Sequence, residues 1–142
     1  MNSTGSASSF QGLANPKPLP HRRTKGRRKR REAKVVKAVR PQVVARDGYC
    51  RLSEAARLHP DEFGECSGPS EWSHYNATHR RSKTRGQPPE ERHTTAGSMM
   101  LCRKHSHDYD QNRTDIKVQD EARGCDGPVT AKRGGAVWVE AA

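Results

Sequence analysis

The stretch of residues 71–110 constrains the fold more than any other part of this chain. It holds five of the seven histidines, and within it a strand-like apolar run, residues 98–101, leads directly into Cys102 and His105. Cys102 and His105 are three residues apart, so at the start of a helix both side chains point to one side and can bind a single metal ion. The segment therefore predicts a strand followed by a metal-binding helix.

The composition makes a metal site important for stability. Hydrophobic residues make up 30% of the 142 residues and aromatic residues 5%, and a domain this poor in apolar surface usually needs a metal or disulfides. Cys50 and Cys66, from loops upstream, complete a Cys3His set with Cys102 and His105, which is the donor set of a structural zinc site. The usual CxxC pairs are absent, so isolated thiols remain the alternative, and Cys125 is predicted to be a free thiol.

The same four cysteines would form disulfides in an oxidising compartment. The N-terminal residues show no basic segment followed by an apolar run, and no part of the chain approaches about 18 consecutive apolar residues. We therefore expect a soluble cytoplasmic protein, without a membrane partner, whose reduced thiols are available to Zn²⁺.

The net charge of +11 is concentrated in one segment. Residues 21–40 carry eleven Lys and Arg against one Glu, whereas residues 41–142 carry fifteen basic and fifteen acidic side chains. We predict that residues 1–31 form a disordered basic arm that binds a polyanion, because each phosphate contact releases counterions without requiring a matching shape. A solubilising tail is the alternative. The arm residues assigned to nucleic-acid binding are Arg27, Arg28, Lys29, Arg30 and Arg31.

Residues 32–48 are predicted to form a helical lead-in, because Val36, Val39 and Val43 share a helical face and Gly48 would end it; Pro41 would kink this helix or begin a second one. Residues 52–69 predict a loop with one helical turn. A strand opening at Trp72, a long polar loop at 78–95, a strand at 98–101 and a helix at 103–112 follow. The runs TDIKVQ, GPVTAKRGG and AVWVEA predict a β-ribbon, with residues 119–142 as a C-terminal unit.

Several histidines lie beside cations. His74 lies on the first strand, and the loop after it carries His79 and four candidate nucleic-acid contacts, Arg80, Arg81, Lys83 and Arg85. A histidine beside phosphate-binding cations can activate water as a general base, and phosphodiester hydrolysis also needs a divalent cation. On a helix His107 is about 200° from His105 but shares a face with Asp110. We therefore assign His74 and His107 as candidate catalytic residues, and these two with Asp110 as candidate ligands of a catalytic ion.

This order of elements resembles the HNH endonuclease family, especially its small phage-encoded members. The resemblance is carried by WSHY at 72–75, RRSKTRG at 80–86, PPEERHTT at 88–95 and SMMLCRKHSHDYD at 98–110. It implies an α+β fold in which residues 49–118 form a small zinc-stabilised ββα-metal (His-Me finger) domain. It also implies a DNA endonuclease of a bacterial or phage-infected cell that uses Mg²⁺, Mn²⁺ or Ni²⁺, with His74 as base or metal ligand.

Three positions differ from the pattern of that family. Ser73 stands where many members have an Asp or His metal ligand, and Gly97 stands where the middle Asn would fall. Ser106 takes the place of the catalytic histidine expected after His105, with His107 one residue further. These differences favour the alternative, a zinc-stabilised nucleic-acid-binding module that does not cleave. A zinc-ribbon-like partner protein is a third interpretation.

Overall fold

The computed structural model describes residues 22–75, 87–134 and 137–141. These residues form a mixed α+β structure with two small antiparallel sheets. In chain order the elements are α1 (Arg22–Asp47), α2 (Ser53–Leu58), α3 (Pro60–Phe63), β1 (Ser70–His74), α4 (Pro89–Arg92), β2 (Ser98–Cys102), α5 (Arg103–Asp110), β3 (Thr114–Val118), a 3₁₀ turn (Gly124–Asp126), β4 (Val129–Arg133) and β5 (Val139–Ala141).

Helix α1 begins earlier than the sequence predicted. It starts at Arg22, so the described part of the basic arm is helical where disorder was expected. Lys and Arg are good helix formers, and a charged helix stays folded when side chains tether it to the rest of the domain. One such tether joins Arg31, whose Nε donates to the Glu90 carboxylate at 2.6 Å. The arginines assigned to nucleic-acid binding are therefore presented on a helix.

The C-terminal half of α1 follows the prediction more closely. The helix continues through Pro41 without starting a second helix. It ends at Gly48, which adopts a φ of 65° and donates its N–H to the Val44 carbonyl at 2.8 Å. A glycine in the left-handed region is the common way to end a helix. The Asp47 carboxylate then anchors this end to β2, accepting from the Met100 N–H at 2.9 Å.

Strands β1 and β2 form a hairpin that leads directly into α5. The strands are antiparallel, with Ser70 opposite Cys102 and His74 opposite Ser98. All five residues of β2 are buried, as expected for an apolar run enclosed on both faces. The predicted strand–strand–helix order is therefore present, with the short helix α4 inside what was predicted as a loop.

The second sheet corrects the predicted boundary at residue 118. Strand β3 pairs with β4 along its whole length, from Thr114 opposite Arg133 to Val118 opposite Val129, and β5 pairs with the other edge of β4. Residues of this sheet also belong to the same buried cluster as Leu101. Residues 119–142 are thus not a separate unit, because β4, the strand that pairs with β3 in the described ranges, lies across that boundary. No helix in the described ranges is long and apolar enough to cross a membrane.

Candidate metal centre and histidine cluster

The four side chains predicted to bind zinc come together in the core. The Sγ atoms of Cys50, Cys66 and Cys102 lie 3.4, 3.6 and 3.3 Å from Nδ1 of His105. All four candidate ligand atoms lie within 4.8 Å of one another. A tetrahedral ion with bonds of about 2.3 Å to sulfur and about 2.05 Å to nitrogen would separate S from N by about 3.5 Å. The observed distances match that value, so the set can hold a tetrahedral metal ion.

Three different parts of the chain deliver these side chains. Cys50 follows the end of α1 and lies beside β2, because the next residue, Arg51, donates its N–H to the Met100 carbonyl at 2.8 Å. Cys66 lies in the loop between α3 and β1. N–H groups at the start of α5 donate to carbonyl oxygens of this loop and hold it against the helix. Cys102 is the N-cap of α5, and its sulfur accepts from the His105 N–H at 3.5 Å. The cluster therefore joins the hairpin, the loop and the helix at one point.

The protonation state of His105 suits a metal ligand. Its Nε2 lies 3.2 Å from the Phe63 carbonyl oxygen, which can only accept, so Nε2 carries the proton. The unprotonated Nδ1 is thereby left facing the three sulfurs, the usual arrangement when a second hydrogen bond orients a ligand histidine. Burial lowers the pKa of His105 and so favours the neutral ring. This hydrogen bond selects the tautomer that binds a metal ion.

The thiols also suit a bound cation. Burial, and to a smaller degree the neighbouring cysteines, raise the pKa of the Cys50 and Cys66 thiols above the ordinary value. Thiolates in such a place are stable only when a positive charge compensates them, and a coordinated metal ion supplies that charge. Cys125 is also fully buried but lies outside the cluster, as a free thiol.

A second cluster surrounds His74. Its Nε2 lies 2.9 Å from Nδ1 of His93, and Nε2 of His93 lies 3.0 Å from the Glu32 carboxylate. The indole of Trp72 packs beside both imidazoles, with ring centroids 5.2 Å apart in each case. Nε2 of His93 also receives the Nε and a terminal guanidinium nitrogen of Arg92, at 3.3 and 3.1 Å, so this ring nitrogen lies between a carboxylate that only accepts and a cation that only donates. Nδ1 of His74 takes no part in this chain of hydrogen bonds.

Both imidazoles of this cluster are held neutral. Burial is the main cause that lowers the pKa of His74, and the neighbouring His93 adds to it. Burial also lowers the pKa of His93, with a further contribution from the cation of Arg92. A neutral imidazole at neutral pH can accept a proton, which is what a general base must do. The cluster therefore has the protonation state required of a base.

The inner surface between β1 and α5 carries hydroxyl groups. Ser73 and Ser106 are both buried, and their Oγ atoms lie 3.1 Å apart. Side chains alternate along a strand, so Ser73 faces α5 while Trp72 and His74 face the opposite side of the hairpin. The resemblance implied a metal ligand at one of these two positions and a histidine at the other. Two neutral hydroxyls that satisfy each other occupy them.

The other candidate ligands of a catalytic ion do not meet in this structure. Within the described ranges, the Cys3His set is the only group of three or more His, Cys, Asp or Glu side chains whose ligand atoms converge. His107 and Asp110 are exposed on α5, whereas His74 contacts His93 and Trp72 on the hairpin. The regular turn of α5 separates His107 from His105, as predicted, but does not bring it to His74.

Only part of the predicted nucleic-acid surface can be located. His79, Arg80, Arg81, Lys83 and Arg85 lie outside the described residues. Lys29 and Arg30 are exposed on α1. Three other arginines of this helix line a shallow cavity of about 500 Å³ between α1 and the start of α4. They are Arg27, Arg28 and Arg31.

Sequence reasoning missed the partners of His74. His93 was quoted as part of the PPEERHTT motif but received no role, and Glu32 was counted only as a charge. Their sequence separation is 61 residues, so no local pattern connects them. The available signal was a histidine that directly follows an Arg within that motif. Comparisons with models of protein families, with curated proteins and with solved structures found no match for this chain.

Proposed function

We propose that this chain is a zinc-stabilised DNA endonuclease of the HNH type, in which His74 activates water. The observation that carries this proposal is the hydrogen-bonded chain from Glu32 through His93 to His74. A base held by a second group, which a third group orients in turn, is the usual arrangement of an activated catalytic side chain. In this proposal His93 orients His74, a role that Gly97, at the position of the family's middle Asn, has no side chain to fill.

The metal in the Cys3His centre is proposed to be Zn²⁺ with a structural role. Three thiolates and one imidazole in a closed tetrahedral set are the preferred ligands of zinc, and a closed set leaves no position for substrate. A thiolate centre also needs reduced cysteines, so we propose that the protein works in a reducing compartment such as the cytoplasm. In this centre the zinc would hold the hairpin and α5 together, and the chemistry would occur elsewhere.

In the proposed reaction, neutral His74 carries its proton on Nε2 and takes a second proton from water on Nδ1 as the water oxygen attacks a backbone phosphorus. The bond from phosphorus to the leaving oxygen breaks, and that oxygen collects a proton from solvent. The Nε2–H of the charged His74 would donate to Nδ1 of His93, whose other ring nitrogen lies between the Glu32 carboxylate and the Arg92 guanidinium. Arginines of α1 would hold the phosphates of the DNA backbone.

The described side chains do not fit the catalytic divalent ion that the resemblance implies. Between β1 and α5 they offer the Ser73 and Ser106 hydroxyls, together with the Glu71 carboxylate, which is already ion-paired to Arg103. Proton transfer to His74 does not depend on such an ion. Whether cleavage needs Mg²⁺, Mn²⁺ or Ni²⁺ is decided by experiment.

Cleavage of supercoiled plasmid by the zinc-loaded full-length protein tests the proposal. Mg²⁺, Mn²⁺ and Ni²⁺ are added in separate reactions. A reaction without added ion, containing a chelator too weak to remove the zinc, serves as the blank. We expect His74→Ala to lower the cleavage rate by at least about 10²-fold, the usual contribution of a general base. His59→Ala is the matched control and should cleave like the wild type, because this histidine lies between α2 and α3, outside the histidine cluster, the Cys3His set and both cationic surfaces. DNA affinity and zinc content should be unchanged in both variants.

A second candidate function is DNA binding without cleavage. It is favoured by the Ser73–Ser106 pair, which replaces charged or imidazole groups with neutral hydroxyls at the positions where the resemblance implies metal and proton chemistry. Wild-type protein that binds DNA but leaves plasmid uncut with every ion would select this candidate. Equal loss of cleavage in the His74 and His59 variants would also contradict the assignment of His74 as the base.

A further inference from the structure

A second cationic surface lies along α5, lined by residues other than those of α1. It surrounds a depression of about 520 Å³ between this helix and the loop that carries Cys66. Gly68 allows the loop to approach, since it adopts a φ of 78° and a Cβ there would lie 2.8 Å from that of Arg103. The charged residues of this surface are Arg103, Lys104, Arg113, Arg133 and Asp108.

The lining of the depression is strongly unbalanced in charge. Four cationic side chains line it, and Asp108 supplies the only carboxylate among the described residues that do so. This carboxylate is buried and is shared by two cations, with Arg113 at 3.5 Å and Arg133 at 3.3 Å. Like charges gathered around one opening repel one another unless an anion compensates them. The surface therefore favours an anionic partner.

Two of the four cations have a structural task at the metal centre. Nζ of Lys104 and a guanidinium N–H of Arg133 donate to the Phe63 carbonyl at 2.7 and 3.3 Å. That same oxygen accepts from Nε2 of the ligand His105. These two side chains therefore support the orientation of the metal ligand and also offset the negative charge of three thiolates.

Arg103 and Arg113 are different. Their side chains are 66% and 56% exposed, and their ion pairs are with the carboxylates of Glu71 and Asp108 rather than with groups at the metal centre. Exposed ion pairs of this kind contribute little to stability, typically about 0–1 kcal/mol. Stability alone therefore does not explain why two further arginines stand beside this opening.

We propose that this depression binds a phosphate of the DNA backbone, through Arg103 and Arg113, as a second contact apart from α1. The inference rests on the proposed function, because it concerns the same DNA. Arg103 pairs with Glu71 near the start of β1, and His74 lies at the end of that strand, three residues or roughly 10 Å further. The phosphate in the depression is therefore a different one from the phosphate at His74, because His74 faces the side of the hairpin opposite α5.

The test compares DNA binding by the full-length zinc-loaded protein over a range of salt concentrations. The double variant Arg103→Gln/Arg113→Gln removes two charges and keeps hydrogen-bonding side chains. The matched control is Arg57→Gln, since Arg57 is 69% exposed, is paired with Glu54 and belongs to neither cationic surface. We expect the slope of log K against log salt to fall in magnitude by about 0.9 in the double variant, the value for one lost phosphate contact. The control should keep the wild-type slope.

Each result has a definite meaning. An unchanged slope in the double variant, with DNA bound by the wild type, refutes this surface and leaves the proposed function standing. A lower zinc content or melting temperature, with an unchanged slope for the molecules that still hold zinc, shows that the arginines serve the metal centre and also refutes it. If the wild type binds no DNA, the proposed function fails and this inference fails with it.

Discussion

Replacement of one metal ligand should affect this protein far more than loss of an equally buried thiol elsewhere. Cys102 and Cys125 are both completely buried, and alanine removes the same single sulfur atom from each. Only Cys102 belongs to the Cys3His set. A comparison of Cys102→Ala with Cys125→Ala therefore cancels the packing loss and leaves the contribution of the metal centre.

The expected magnitudes are well separated. Loss of a buried sulfur costs about 1 kcal/mol through lost contacts and the small cavity. Cys102 also caps α5, accepting from the His105 N–H, and a lost cap costs about 1 kcal/mol more. Structural zinc contributes roughly 10–16 kcal/mol in small domains, which is as large as the whole stability of a typical protein, about 5–15 kcal/mol. Cys102→Ala should therefore unfold the domain, whereas Cys125→Ala should lower its melting temperature by only about 4 °C.

Zinc content and thermal unfolding, measured on the same samples, test the predicted difference between the two variants. The wild type and Cys125→Ala should each carry one zinc per chain and melt cooperatively, and a strong chelator should abolish both transitions. Cys102→Ala should carry no zinc and show no cooperative transition. Equal losses of stability in the two variants, or a wild type that melts at the same temperature with and without chelator, would show that the four side chains do not form a structural metal centre.

Two further predictions concern stability. Since burial holds the pKa of His74 and His93 below the ordinary 6.5, the unfolded chain binds more protons at acidic pH. The contribution of these two histidines to stability is therefore complete above about pH 6.5 and is lost as the pH falls toward their pKa values in the folded protein. The free energy of unfolding, measured with urea, should fall less on acidification in His93→Gln than in the wild type, and an identical fall would contradict this. Gly124→Ala should cost about 1–3 kcal/mol, because φ is 57° and a Cβ would lie 2.4 Å from the Ala96 carbonyl oxygen. Gly26→Ala, in open space on α1, should instead stabilise by about 0.5–1 kcal/mol, and equal effects in urea unfolding would refute the steric argument.

The metal centre was predictable because its signals are local and chemically restrictive. The spacing of Cys102 and His105 places both at the start of α5, and the apolar run before them gives strand β2. A chain with little apolar surface needs a metal ion, and further cysteines are the donors that complete a structural zinc site with Cys102 and His105. Cys50 and Cys66 were therefore assigned correctly to the cluster without any knowledge of how the loops fold.

The surroundings of His74 were not predictable in the same way. The sequence marks His74 as a strand histidine, but its partners come from α1 and α4 and depend on how these helices dock. The same docking explains why the basic segment is helical from Arg22, since the tether from Arg31 to Glu90 links two segments 59 residues apart. Composition alone describes a charged run without partners, and disorder is the expectation for such a run. The surroundings of His74 and the helical state of the basic segment both depend on tertiary contacts.

The metal centre and the histidine cluster depend on different contacts, so their contributions can be separated. Cys102 ends β2 and begins α5, and it pairs with Ser70 at the start of β1. His74 lies at the other end of β1, roughly 13 Å away, where Glu32 and His93 hold it through contacts made outside the metal centre. Loss of the metal ion should therefore unfold the domain, including α5 and the cationic side chains that it carries. Glu32→Gln should weaken both the contact with His93 and the ion pair with Arg92, so that cleavage falls while zinc content stays unchanged.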